Sequence, residues 1–282
     1  MSDTKSDAQR PLTRHAAVGA TIVAIANQKG GVGKTTTAIN LAAALAERGK
    51  RVLLVDLDPQ GNASTGLGLS GSERGAGTYA LLTEAVSAVA VTQHTEVANL
   101  SIIAAEPDLA GAEIELVNRE AREYCLREAL RPGGVASMQH DFVLIDCPPS
   151  LGLLTLNGLV AADSILVPLQ CEFFALEGLS QLMRTVELVR HRLNTALVLE
   201  GILLTMYDRR NNLSDLVADD ARSFFGDKVY ETVIPRNIRI SEAPSHGKPV
   251  IVYDHRSPGA QAYVKLATEF LQRHSAAAGP KS

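Results

Sequence analysis

The stretch NQKGGVGKTTT, from Asn27 to Thr37, lies between the apolar run TIVAIA of residues 21–26 and the alanine- and leucine-rich run of residues 38–46. The first run reads as a buried strand, and the second predicts a helix ending at Gly49. Between them Gly30, Gly31 and Gly33 permit a tight turn whose backbone N–H groups can converge on an anion, at the point where a helix offers its positive end. The usual phosphate-loop pattern G-x-x-x-x-G-K-[ST] accounts for Gly33, Lys34 and Thr35. It also demands a glycine at position 28, where this chain has Gln28, and it leaves a second lysine, Lys29, without a role. A glycine-rich turn with an incidental lysine is the bland alternative, and the strand, loop and helix context argues against it. In the phosphate-loop reading Gly30, Gly31, Val32 and Gly33 cradle the phosphates and Lys34 reaches the β- and γ-phosphates. Thr35 then offers its hydroxyl to Mg²⁺, and Thr36 faces the α-phosphate.

Outward from this loop the pattern repeats. RVLLVDLD, LSIIAAE, DFVLIDCPPS, SILVPLQ, LVLEGILLTMYD and VYETVIP read as further strands, helical patterns separate most of them, and GAQAYVKLATEFLQR closes the chain as a helix. Apolar strands alternating with helices imply a doubly wound α/β domain with a mostly parallel sheet covered on both faces. Ligands of such sheets bind at the carboxyl ends of the strands. The expected organisation is a flexible tail over 1–20, one domain over 21–274 and a short tail over 275–282. The segment from Leu69 to Asn99 is the least regular.

Composition narrows the function classes. With 282 residues and 46% apolar content the chain can bury a substantial core, and its net charge of −4 gives no global sign of nucleic-acid binding. No apolar run reaches the ~18 residues of a membrane span and the first twenty residues resemble no signal peptide, so the expected location is cytoplasmic. Cys125, Cys147 and Cys171 lack metal-site spacing and read as reduced thiols in or near the core.

The carboxylates fall at strand ends. Asp146 closes FVLID, the Walker B arrangement that holds Mg²⁺. Asp56 and Asp58 end RVLLVDLD; beside a triphosphate one can assist Mg²⁺ and the other can orient or deprotonate the attacking water. Gln60, Gly61 and Asn62 then form a loop that senses the γ-phosphate.

KGGVGKTT, DLDPQGN, LIDCPPS and PRNIRISEAPSHGKP together resemble the ParA (Soj) chromosome-partitioning ATPases, members of the deviant Walker A family that includes MinD and the nitrogenase iron protein. The similarity runs from about Thr21 to Arg273, and the last motif is the more specific one. The resemblance implies ATP and Mg²⁺ as cofactors and gives Lys29 its role, since it occupies the signature-lysine position that reaches the partner's nucleotide in an ATP-sandwich homodimer. Lys29, Lys34 and Asp58 are thereby the catalytic candidates, with Asp58 the water-activating aspartate and Asp56 a structural or Mg²⁺-side group. Thr35, Asp58 and Asp146 surround the metal. Pro235 and Asn237 match adenine-side contacts, Thr205 and Met206 an opposite wall, and Glu172 a contact to the partner's nucleotide. Arg210 and Arg239 match arginines that bind DNA, although acidic and basic residues nearly balance between Met206 and Arg256. The implied cycle is an ATP dimer that holds double-stranded DNA without sequence preference, on the nucleoid and not on a membrane, until a ParB-type partner triggers hydrolysis. A MinD-like membrane ATPase should end in a basic, bulky amphipathic helix, and this chain ends LQRHSAAAGPKS. An electron carrier like the nitrogenase iron protein needs cluster-holding cysteines, and Cys147 in DCPP differs from that setting.

Overall fold

A computed structural model describes residues 19–71, 73–84, 86–131 and 139–277. Most of the expected N-terminal tail, and residues 278–282 of the C-terminal one, lie outside those residues. Seven strands form one sheet: β1 (Thr21–Ile25), β2 (Val52–Asp56), β3 (Thr92–His94), β4 (Leu100–Ile103), β5 (Phe142–Asp146), β6 (Ser164–Gln170) and β7 (Val198–Thr205). Their order is β3-β4-β2-β5-β1-β6-β7. All neighbours pair in parallel except β3, which runs antiparallel to β4 at the edge.

Alternation along the strands divides the core into two layers. Ile22 and Ala24 of β1, with Leu53 and Val55 of β2, face one cluster, whereas Val23, Ile25, Val52 and Leu54 face the other. The helix Lys34–Glu47 packs in the second layer through Ala38, Leu41 and Leu45, against Tyr263, Leu266 and Phe270 of the helix Pro258–Ala277. The helix Leu153–Ala161, which leads from β5 to β6, packs in the first layer through Leu154 and Leu159. The chain thus leaves β1 over one face toward β2 and leaves β5 over the other toward β6. A crevice opens where those directions diverge, above the carboxyl ends of β1 and β5.

Two expectations change. VYETVIP is not a continuous strand of the sheet; it meets β7 and its extension at isolated bridges, Val229 with Ile202 and Pro235 with Tyr207, and through the Ile234 amide donating to the Leu204 carbonyl at 2.9 Å. The backbone amides of Glu231 and Thr232 instead donate to the Glu269 carboxylate, each at 2.9 Å, which removes the donors a strand would need. The last helix continues through Ala277, past the expected boundary at residue 274.

Candidate functional site

The glycine loop occupies the crevice. Gly31 and Gly33 have φ of 74° and 88°, the left-handed region that side chains disfavour, so glycine is required at both. The loop is tied down from two sides. Asn27 donates to the Pro168 carbonyl at 2.7 Å and accepts from the Lys29 amide at 3.0 Å, and the Thr205 hydroxyl donates to the Val32 carbonyl at 2.8 Å. The helix that follows has no acidic residue in its first turn, which leaves its N-terminal charge for a ligand. Lys34 is buried beneath the loop and donates to the Lys29 carbonyl at 2.8 Å. Burial lowers its pKa, and the charges of Asp146 and Asp58 pull it back up.

Three aspartates stand at or just beyond the carboxyl ends of β2 and β5 and are held differently. Asp56 accepts from the Ser64 amide at 2.8 Å, the Ser64 hydroxyl at 2.6 Å and the Asp58 amide at 3.3 Å. Burial pushes its pKa up to about 6 against those hydrogen bonds. Its carboxylate is therefore structural, fixing the turn into the helix Asn62–Gly66. Asp58 lies two residues beyond the end of β2, in a loop and not on a strand face. It accepts from the Gln60 amide at 3.0 Å. Asp146 is fully buried, and neither of its carboxylate oxygens has a hydrogen-bond partner. Burial, then the charge of Asp56, hold its pKa well above the usual range, while the Thr35 hydroxyl and Lys34 act the other way.

A buried carboxylate without a partner, beside a lysine and a threonine hydroxyl, fits a divalent cation. Among the described residues no group of three or more His, Cys, Asp and Glu could hold a metal without further ligands. That suits Mg²⁺, which uses one or two carboxylates and takes its other ligands from phosphates and water.

Behind Gly33 and Thr36 lies a cavity of about 280 Å³, in which Thr205, Met206, Pro235 and Asn237 come together. These four are the residues expected on the adenine side. Met206 has φ 52°, and the Asn237 side chain caps the short helix Ile238–Glu242 by accepting from the Arg239 amide at 3.0 Å. Tyr263, Ile240 and Pro244 line the same cavity and were not anticipated. Ile240 and Pro244 belong to PRNIRISEAPSHGKP, the motif that also carries Pro235 and Asn237, whereas Tyr263 lies in the closing helix, whose sequence gives no sign of facing a ligand.

Glu172 does not line that cavity; it forms an ion pair with Lys29 of its own chain. Lys29 is half exposed. Arg210 and Arg239 are each paired with carboxylates. Arg210 is clasped by Asp208, with contacts of 3.0 Å from Nε and Nη2, and Arg239 pairs with Glu242 at 2.9 Å and Asp254 at 3.4 Å. All three cysteines are buried.

The fold and this site define a nucleoside-triphosphatase of the phosphate-loop class, and the comparisons agree. A family model described as an AAA domain matches residues 20–199. The chain is 58% identical over 252 residues to the chromosome partitioning protein ParA of Caulobacter vibrioides, covering 89% of this chain and 94% of that one. It is 56% identical over 248 residues to the sporulation initiation inhibitor protein Soj of Bacillus subtilis, covering 88% and 97%. Among solved structures, cobyrinic acid a,c-diamide synthase from Mycobacterium smegmatis with bound ADP and magnesium superposes with a TM-score of 0.78 at 40% identity, covering 91% and 96%. The cell division ATPase MinD of Pyrococcus furiosus does so with a TM-score of 0.74 at 26% identity, covering 89% and 98%. The partitioning relatives are the more similar in sequence, and the chain belongs to the ParA/Soj family of chromosome-partitioning ATPases. It is an ATPase that uses ATP and Mg²⁺. Among the described residues no helix is long and apolar enough to cross a membrane.

Proposed function

We propose that this ATPase partitions DNA by a nucleotide-switched cycle. With ATP two copies close face to face, the dimer binds double-stranded DNA without sequence preference, and hydrolysis stimulated by a ParB-type partner releases it. The carrying observation is the contrast between the two loop lysines. Lys34 is buried and feels the charges of Asp146 and Asp58, whereas Lys29 projects from the same loop, half exposed, toward Glu172. A cation that leaves its own phosphate cradle is available to a second nucleotide across a two-fold axis, where it can stabilise the transferring phosphoryl group.

Within one subunit, the loop amides and Lys34 hold the β- and γ-phosphates, and Thr35 and Asp146 hold Mg²⁺. The adenine occupies the cavity lined by Thr205, Met206, Pro235 and Asn237. Bound Mg²⁺ supplies charge neutralisation across the phosphate oxygens. Asp58, with one oxygen committed to the Gln60 amide, orients the water for in-line attack. Arg210 and Arg239 remain the DNA contacts in this reading, and each must leave or share a carboxylate to reach a phosphate. Fluorescence anisotropy of a labelled duplex with ATP, ADP or no nucleotide tests the proposal. Binding with ATP alone supports it, and equal binding under all three conditions refutes the switch.

A further inference from the structure

Arg74 lies in the irregular segment after Leu69, with only 9% of its surface exposed, and its hydrogen-bond partners among the described residues are neutral. Its guanidinium donates from Nη1 to the Ala105 carbonyl at 3.0 Å. From Nη2 it donates to the Gly61 carbonyl at 3.1 Å and the Thr65 hydroxyl at 2.8 Å, and from Nε to the Leu69 carbonyl at 3.4 Å. Burying a cation without an anion is costly, and an apolar side chain could fill the same space without that cost. What an apolar side chain could not do is tie three separate carbonyls and a hydroxyl to one rigid plane.

Those acceptors belong to one functional unit. Gly61 turns the chain with φ 63° and donates its amide to the Asp58 carbonyl at 2.8 Å. The Asp56 end of the loop is held by Ser64, whose hydroxyl also accepts from the Ala105 amide at 3.0 Å. Arg74 binds the other side of the same Ala105 residue and closes the frame around residues 58–65. The fit is tight, because a Cβ at Gly61 would stand 2.0 Å from Nη1. By contrast the phosphate loop is fastened through Asn27 and Thr205, to β6 and β7, and owes nothing to Arg74.

We infer that Arg74 is a positioning residue for ATP hydrolysis: it sets the Asp58–Asn62 loop from behind without touching nucleotide. The inference rests on the assignment of Asp58 as the water-orienting group. It separates binding from turnover, since the cradle for ATP and the frame for Asp58 are fastened independently.

The test is steady-state hydrolysis and ATP affinity for Arg74→Met and Arg74→Lys, with kcat expressed per nucleotide-binding site so that any misfolded fraction drops out. Misplacing a water-positioning group costs on the order of 10- to 100-fold in rate. Arg74→Met should therefore lose at least about tenfold in kcat while its ATP Kd stays within about twofold of wild type. Arg74→Lys, which keeps the charge but lacks the fork, should recover only part of the rate. In a Gly61→Ala background, where the new Cβ collides with the guanidinium, adding Arg74→Met should cost less than it does alone. Wild-type kcat in Arg74→Met, or a weakened Kd with unchanged kcat, overturns the inference. Normal hydrolysis by Asp58→Ala would overturn the assignment beneath it, whereas an inactive Asp58→Ala beside a fully active Arg74→Met overturns the role of Arg74 alone.

Discussion

Asp56 and Asp146 are register partners on adjacent parallel strands, yet one carboxylate is fully engaged and the other has no hydrogen-bond partner. Strand neighbours of this kind stand about 5 Å apart, so two charges there repel strongly in a buried setting. Ser64 and the Asp58 amide stabilise the charge on Asp56. Asp146 has no such set of donors, only the Thr35 hydroxyl and Lys34 acting on it, which makes it the carboxylate proposed for a cation.

Asp146→Asn should accordingly stabilise the nucleotide-free protein at neutral pH while abolishing Mg²⁺-dependent hydrolysis. Removing a buried charge relieves on the order of 1–3 kcal/mol, less what its attraction to Lys34 returns. Thermal melts without nucleotide should show a Tm higher by a few degrees, with no further rise when Mg²⁺ and ATP are added. A lower Tm would mean that the carboxylate is compensated within the chain.

The pH dependence of stability follows from the same pair. Asp56 has its folded pKa raised from 3.8 to about 6, so the native state holds its proton more tightly than the unfolded chain does. Stability relative to Asp56→Asn is then complete below about pH 4 and is lost as pH rises to about 6, by about 2–3 kcal/mol. Denaturant midpoints of the two proteins across that range give the test. A wild-type advantage that grows with pH would reverse the assigned sign.

Lys34→Ala should lose ATP binding by more than about 100-fold, because the buried cation facing Asp146 and Asp58 is also the one proposed to lie under the phosphates. Titration with a fluorescent ATP analogue measures this directly. Near-native affinity would move the phosphate site elsewhere.

Asp208 restrains Arg210. Hydrogen bonds from that arginine hold the Asp208 pKa down to about 2, so the pair persists throughout the neutral range. If Arg210 meets a DNA phosphate, Asp208→Asn should tighten DNA binding by about twofold to fivefold, a small gain expected of an exposed pair. Arg210→Ala should weaken binding to every sequence alike and flatten the salt dependence by about 0.9 for each phosphate no longer neutralised. An Asp208→Asn protein that binds DNA no better, with an unchanged salt slope in Arg210→Ala, would remove Arg210 from the DNA surface.

The nucleotide crevice is legible in the sequence because its chemistry is local. Gly30 to Thr36 are contiguous, their glycine spacing dictates the backbone, and Asp146 is marked by the apolar strand it ends. That Thr205, Met206, Pro235 and Asn237 share one cavity, the one proposed for adenine, is legible only through the resemblance, since Thr205 and Pro235 carry no chemical signal of their own. What escapes is set by long-range pairing. VYETVIP has strand-like residues, but its amides bond to Glu269, 37 and 38 positions away. Arg74 lies in a segment without periodicity, and its role exists only because Gly61 and Ala105 converge on it. Glu172 is expected to contact the partner's nucleotide, whereas in the single chain it holds Lys29.

The proposed cycle depends above all on Lys29 acting across a two-fold interface on its partner's ATP. Complementation tests this step: Lys29→Ala and Asp58→Ala proteins, each inactive alone, are mixed and ATP hydrolysis is measured. If the lysine acts in trans, a mixed dimer contains one site with an intact Asp58 from one subunit and an intact Lys29 from the other. Random pairing then returns about a quarter of wild-type activity, since half the dimers are mixed and each has one working site of two. A mixture as inactive as its components, with mixed dimers shown to form, would place Lys29 in its own subunit's site and contradict the proposed cycle.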